Sequence, residues 1–286
     1  MRVFILIIFL FESTIGAAQT KTDKKLQSKI ETLIKGFNGD VGVFVKNLKN
    51  NKTVAINADS IFPTASIVKV PILIGIMSKI ENATFKYHDQ LTYSDSLFYS
   101  DGDVTGNLKN NAKIELAKVM MLMLTTSDNT ASLWLQSLAG SGIRINELMD
   151  SLGFKNTRVN SRTTGRSENW KQYGWGQTTP YEMVTLFEKI YNKEVISTTA
   201  SEKMIRLLGR NFWDEQAISQ VPPSVFVASK NGAVNASRSE VLLVMGKTPY
   251  LFGIFTNNNK DQRWSNDNEA WVLTQNLSKL LWEYYN

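Results

Sequence analysis

Serine, lysine, asparagine and glycine stand together in three short strings, Ser66-Ile67-Val68-Lys69, Ser127-Asp128-Asn129 and Lys230-Asn231-Gly232. Between them they supply hydroxyls, amines and an amide, the groups needed to attack a carbonyl carbon without an imidazole. The chain has one histidine, His88, and no cysteine. His88 lies among Lys86, Tyr87, Asp89 and Gln90, a polar stretch that reads as exposed, so a serine triad built on it is disfavoured. A thiolate nucleophile is excluded, and so is a zinc site made of Cys and His. No metal and no organic cofactor is implied. Lysine is left as the proton carrier.

If Ser66 opens a helix, Lys69 lies one turn on and shares its face. A neutral lysine there takes the hydroxyl proton as Ser66 attacks, provided burial or a neighbouring cation lowers its pKa. Thr64 is placed to cap that helix, whose N-terminus favours developing negative charge. Pro71 inside the same helix removes a backbone bond and bends it. A capping serine beside a solvated lysine has the same spelling, so both readings stand at this point. Ser127-Asp128-Asn129 reads as a turn between two helices, ordinary loop chemistry taken alone. Functionally, Ser127 relays a proton to a leaving nitrogen and Asn129 bonds a substrate amide. Lys230-Asn231-Gly232 ends a strand that starts at Val225. Its glycine lets a substrate backbone approach the strand edge, and its lysine adds charge beside Ser127. Taken alone the string reads as a plain strand end before a turn; functionally, the backbone N–H groups of Ser66 and Ala233 would form the two halves of an oxyanion hole, each worth about 2.7–4 kcal/mol in such sites.

The elements that must position these strings follow from hydrophobic period. Lys24 to Gly36 is amphipathic; Val41–Val45 and Thr53–Ile56 read as a hairpin. Ile114 to Leu124, Thr130 to Leu138 and Tyr181 to Tyr191 read as helices. Strand character returns at Val225–Ala228, Val241–Met245 and Leu251–Phe255, and Glu269 to Tyr285 reads as a closing helix. The expected fold is therefore α+β, an antiparallel sheet built from both chain ends, flanked by helices, with an all-helical lobe inserted. The α/β lobe takes about residues 24–62 plus 205–286, the helical lobe about 63–204, and a cleft between them is the natural ligand site.

The 286 residues carry a net charge of +6, with 43% hydrophobic and 20% charged side chains. No basic run exceeds Lys24-Lys25, so nucleic-acid binding is not expected, while a basic surface favours anionic small substrates. Residues 1–18 have the form of a secretory leader: Arg2, an apolar run from Val3 to Phe11, then Gly16-Ala17-Ala18 before a cleavage point at Gln19. The apolar run is about half the length that spanning requires, so no stable membrane anchor is expected. Residues 19–286 then form one catalytic domain, periplasmic or secreted, monomeric, and folded without disulfides.

Order and spacing give the strings a joint meaning. S-x-x-K, S-D-N and K-T-G mark class A β-lactamases and penicillin-binding proteins, and this chain resembles that superfamily, class A most closely. Ser127 follows Ser66 by 61 residues and Lys230 follows Ser127 by 103, while Thr178-Thr179-Pro180 lies where a similar string starts a helix. The resemblance implies Ser66 as nucleophile, Lys69 as base, and Ser127 with Lys230 as proton donor to the leaving nitrogen. Asn129, Asn231, Gly232 and Arg238 would bind substrate, a β-lactam or a D-alanyl peptide. It also implies a glutamate that activates the deacylating water, but Thr163 stands at that position and Ser167 at that of its asparagine partner. The loop Asn156 to Gln177 has one acid, Glu168, five residues late; it is either a displaced base or a solvated carboxylate. Gly176 replaces the aspartate of a bracing Arg–Asp pair, and Asn231 replaces a threonine. Trp170, Tyr173 and Trp175 pack the loop or floor a substrate pocket. Arg238 is a carboxylate-binding residue or a plain surface arginine. Three functions remain: a β-lactam hydrolase, a D-alanyl peptidase-like protein that keeps its penicillin adduct, or a binding module for an acylating ligand.

Overall fold

The computed structural model describes residues 21–286, and the leader expected over residues 1–18 lies outside them. Helix α1 (Lys24–Ile34) precedes the hairpin strands β1 (Asp40–Asn47) and β2 (Thr53–Ile56); the short strand β3 (Phe62–Pro63) leads into a 3-10 turn, Ala65–Val68. Helix α2 (Lys69–Glu81), the strand pair β4 (Gln90–Thr92) and β5 (Lys113–Glu115), and helices α3 (Leu116–Thr125), α4 (Asn129–Leu138) and α5 (Ser141–Ser151) follow. Next come β6 (Arg158–Val159), the short helix α6 (Ser167–Tyr173), β7 (Gly176–Thr178), α7 (Pro180–Tyr191) and α8 (Thr198–Leu208). Strands β8 (Val227–Val234), β9 (Ser237–Val244) and β10 (Tyr250–Asn257) and helix α9 (Glu269–Tyr285) close the chain.

The last three strands join the first two in one antiparallel sheet, ordered β2-β1-β10-β9-β8. This is the α+β architecture expected from the sequence, with its sheet drawn from both chain ends. Alternation drives it. On β9, Val241 and Leu243 enter one core while Leu242 and Val244 enter the other; on β10, Leu251 and Phe255 oppose Phe252 and Ile254 in the same way. Both faces of the sheet therefore need cover. Leu26 and Ile30 of α1 with Leu273, Leu277 and Leu281 of α9 cover one face, and Met183, Val184 and Phe187 of α7 cover the other. Helix α2 is buried from Lys69 through Met77, as a helix apolar all round must be. Helices α3, α4, α5 and α8 pack about it.

Several boundaries differ from the sequence reading, three of them at polar residues. Lys230-Asn231-Gly232 lies within β8, not beyond its end, and β9 starts at Ser237, ahead of the apolar run. Ile114 pairs with Leu91 in a small sheet, so its helix begins at Leu116. An apolar period cannot announce strand residues that are polar because they border a cleft. Pro71 is the third residue of α2, in the first turn, where backbone N–H groups lack intrahelical acceptors in any case. The expected break in the ladder is not incurred. No helix among the described residues is long and apolar enough to cross a membrane.

Candidate active site

Ser66 lies on the 3-10 turn and Lys69 is the first residue of α2. In a 3-10 turn residues three apart eclipse, and Lys69 Nζ comes to 3.0 Å from Ser66 Oγ. Thr64 occupies the cap position, but its own backbone is already helical rather than extended, and its hydroxyl is buried without a partner. A capping side chain needs the extended conformation, so the expected Thr64 cap does not form.

Lys69 Nζ has three further neighbours: Ser127 O at 2.5 Å, Ser127 Oγ at 3.0 Å and Asn129 Oδ1 at 2.8 Å. Ser127 reaches it with both oxygens because its backbone is left-handed, φ 61°. The Ser127 carbonyl and the Asn129 amide oxygen can only accept. A neutral amine has two N–H groups to give them and keeps its lone pair for a hydroxyl hydrogen. The surroundings favour that state. Burial, and then the charge of Lys230, hold the Lys69 amine well below its ordinary value against the pull of Asp103 and Asp128.

Lys230 is also fully buried, which lowers it to about 7. Its Nζ donates to Asn231 O at 2.9 Å and Asn231 Oδ1 at 3.1 Å. Across the sheet Asn231 pairs with Glu240, another fully buried group. One Glu240 oxygen accepts from Ala217 N–H at 3.0 Å and the other has no partner among the described residues; burial pushes this carboxyl up to about 8. Next in β8, Gly232 is required by close approach, since a Cβ there would meet Thr64 O at 2.3 Å and Ser66 N at 3.0 Å. That contact runs the outer edge of β8 past Ser66. Two recesses, of about 500 and 490 Å³, meet at Ser66, Asn129 and Ala233. Asn231 and Gly232 line the first.

Two residues that hold this arrangement were not singled out from sequence. Asp128, 2% exposed, caps α4 by accepting from Ala131 N–H at 2.7 Å and also binds Thr105 through its N–H at 2.8 Å and its hydroxyl. Asp103, 7% exposed, accepts from Asn129 N–H at 2.9 Å and from the N–H and hydroxyl of Thr130, both at 2.8 Å. The pair of carboxylates clamps the turn that carries Ser127 and Asn129. Asp128 was visible within its string; Asp103 sits in Ser100-Asp101-Gly102-Asp103, which has only the signature of a turn.

The loop opposite Ser66 departs from expectation. Glu168 is on α6, its side chain 82% exposed and bonded to Lys171 at 2.8 Å, and it lines neither recess. The solvated reading describes it, and the displaced-base reading does not. Gly176 cannot carry a bracing aspartate, because a Cβ there would meet Val68 and Thr64 side chains at 2.6 and 2.7 Å. Instead Arg166 donates to the amide oxygens of Asn160 and Gln177, and strand β7 ties the loop between β3 and β6. Tyr173 and Trp175 line the second recess with Ser66, while Trp170 lines a separate recess of about 540 Å³ beneath the loop. Thr163 packs on α5 against Gly142. His88 is 75% exposed and contacts Glu115.

Arg238 is neither a surface arginine nor a free cation in the cleft. It is fully buried, and its N–H groups go to the carbonyls of Val234, Asn235, Ser237 and Arg263. The loop to α9 covers it.

Comparison with known proteins agrees with this fold. A model of the β-lactamase enzyme family matches residues 25–285. β-Lactamase VEB-1 of Pseudomonas aeruginosa is 23% identical over 99% of this chain and 97% of that protein. β-Lactamase AER-1 of Aeromonas hydrophila is 21% identical over 82% of this chain and 79% of that protein. Among solved structures, PBP-A superposes with a TM-score of 0.82 at 21% identity, covering 93% of this chain and 97% of its own. The TLA-3 extended-spectrum β-lactamase gives 0.81 at 17% identity, covering 91% and 98%. The family match runs through the helical lobe, the sheet and all three strings, and the chain belongs to the β-lactamase enzyme family.

Proposed function

We propose that this protein is a serine hydrolase that opens β-lactam amides through an acyl-enzyme on Ser66. The observation that carries the reading is the Lys69 amine, 3.0 Å from both Ser66 Oγ and Ser127 Oγ, with two carbonyl-type acceptors for its N–H groups. Lys69 takes the Ser66 proton as Oγ bonds to the lactam carbonyl carbon. The N–H groups of Ser66 and Ala233 hold the oxyanion. As the C–N bond breaks, the proton passes through Ser127 to the departing nitrogen, with Lys230 supplying positive charge beside it. Asn129, whose amide oxygen is held by Lys69, offers its N–H₂ to the substrate; Asn231 and Gly232 border the same recess. The leader over residues 1–18 directs export, and a mature mass beginning at Gln19 is the expected readout from cells.

Release is the slower half in this reading. The acids lining the two recesses are Asp103 and Glu215, and Asp103 is committed to Asn129 and Thr130. That favours a long-lived adduct, as in a penicillin-binding protein acting on D-alanyl peptides. A mutant of PBP-A, which shares the fold with a TM-score of 0.81, is known as an acyl-enzyme complex with penicillin G. An intact-mass time course with a penicillin, beside Ser66→Ala, tests both halves. An adduct on wild type that Ser66→Ala lacks supports acylation, and its decay rate separates hydrolase from penicillin-binding behaviour. Absence of any Ser66-dependent adduct or product with penicillins, cephalosporins and D-alanyl peptides would refute the proposal.

A further inference from the structure

Arg238 and Trp264 form a device that the reaction above leaves unused. Arg238 stands directly across from Ala233, one strand away from the oxyanion position. Among the described residues its guanidinium faces no carboxylate within hydrogen-bond reach; its N–H groups are spent on carbonyls, and Nε has no partner. The Trp264 ring lies over it, centroid 4.4 Å from Cζ, with Trp271 at 6.0 Å. Such stacking of an indole on a desolvated guanidinium is a strong form of cation–π contact. Trp264 Nε1 also donates to Asn235 Oδ1 at 3.1 Å, and the adjoining Arg263 is bonded to Asp261 and Asp267. So Trp264 is held by Arg238 against its ring and by Asn235 at its edge. Even so it is 69% exposed, and with Trp213 and Trp271 it lines the recess that opens at Ser66 beside Asn231. A cation lies beneath, and the cleft sees an aromatic face.

That recess also contains Ser127 and Thr126, whereas the loop residues Gln172 to Trp175 line the other. Ser127 is the group that meets the departing nitrogen, so the tryptophan wall belongs to the leaving-amine side. We propose that Trp264 determines specificity by stacking on a flat aryl substituent carried by the leaving-amine portion of the acyl donor. This rests on the Ser66 acyl-enzyme reading.

The test uses two cephalosporins that differ only in the substituent on the six-membered ring, a dinitrostyryl group in one and a methyl group in the other. Acylation rates are read by intact mass on wild type, Trp264→Ala and Trp264→Phe. The ratio of the two rates is the readout, and comparing it between variants cancels the intrinsic reactivity of each compound. Trp264→Ala should lower the aryl-to-methyl ratio about fivefold or more, the usual scale of one lost aromatic contact, and Trp264→Phe should retain most of it. A ratio unchanged in Trp264→Ala overturns the inference while leaving the Ser66 reading intact. A wild-type protein acylated by neither compound defeats both.

Discussion

Lys69 and Glu168 are the titratable groups on which attack and release would turn, and they sit in opposite surroundings. Lys69 is fully buried, meets four oxygens, and has its proton affinity lowered by its setting. Glu168 lies on a seven-residue helix with its side chain in water and bonded to Lys171, which is itself exposed. The contrast extends to the backbone. The turn bearing Ser127 is clamped by two buried carboxylates; buried Glu182 holds the start of the other loop at Asn156 and Thr157, but the stretch bearing Glu168 is braced by Arg166 with the amides of Asn160 and Gln177. Burial costs stability unless every polar group is satisfied, so a chain concentrates it where chemistry requires a shifted proton. Here it includes Lys69 and Lys230, the amines that the proposed reaction assigns to acyl formation.

The comparison breaks most directly at Lys69. Lys69→Met should slow acylation by about a hundred- to ten-thousandfold, the range of a lost general base, measured by intact mass. Wild-type acylation should fall on acidification, because protonation fills the lone pair that receives the Ser66 hydrogen. Retention of full rate in Lys69→Met would remove the lysine from the mechanism. Next in size, Asp103→Asn should cost about 1.5–3 kcal/mol in urea melts, the scale of hydrogen bonds to a charged group, and slow acylation with it. A variant that acylates normally despite that loss would show that the clamp serves the fold alone.

A smaller effect concerns pH. Glu240 has its folded pKa raised from 4.5 to about 8, so the folded state holds a proton that the unfolded state has lost. That contribution falls as pH rises between about 4.5 and 8. Lys230 runs the other way: its folded pKa is depressed to about 7, so stability climbs as pH rises from 7 towards 10.5. Wild type should therefore have a stability trough near pH 7–8, and Glu240→Gln should flatten its acidic side; identical melting profiles from pH 5 to 8 would contradict this. Smallest of all, Glu168→Gln should change the decay of a penicillin adduct by less than about twofold, as befits an exposed ion-pair residue. A large slowing would mean that the loop rearranges in the acyl-enzyme.

Much of this was legible beforehand because it rests on period and on spacing. The α9 limits and the β1–β2 hairpin follow from apolar alternation, and the three strings carry their own order. Asp103 and Glu240 were not legible, since a buried carboxylate looks in sequence like any turn or strand-surface acid. Arg238 misled for the same reason: its burial comes from Trp264 and Trp271, residues on a distant loop and helix. Glu168 illustrates the converse limit, where a residue type fit for catalysis is pointed away by the helix that bears it.

Gly232 leaves one consequence for how such a protein can change over generations. In the proposed reaction, attack and oxyanion stabilisation would stay in step because β8 lies directly against the Thr64 carbonyl, and any side chain at 232 acts as a wedge. Neighbouring positions are less confined: Asn231 is half-buried, and Val234 is 45% exposed. A lineage drifting towards new substrates can explore 231 and 234 while 232 stays fixed, so its adaptive paths run around the glycine and never through it.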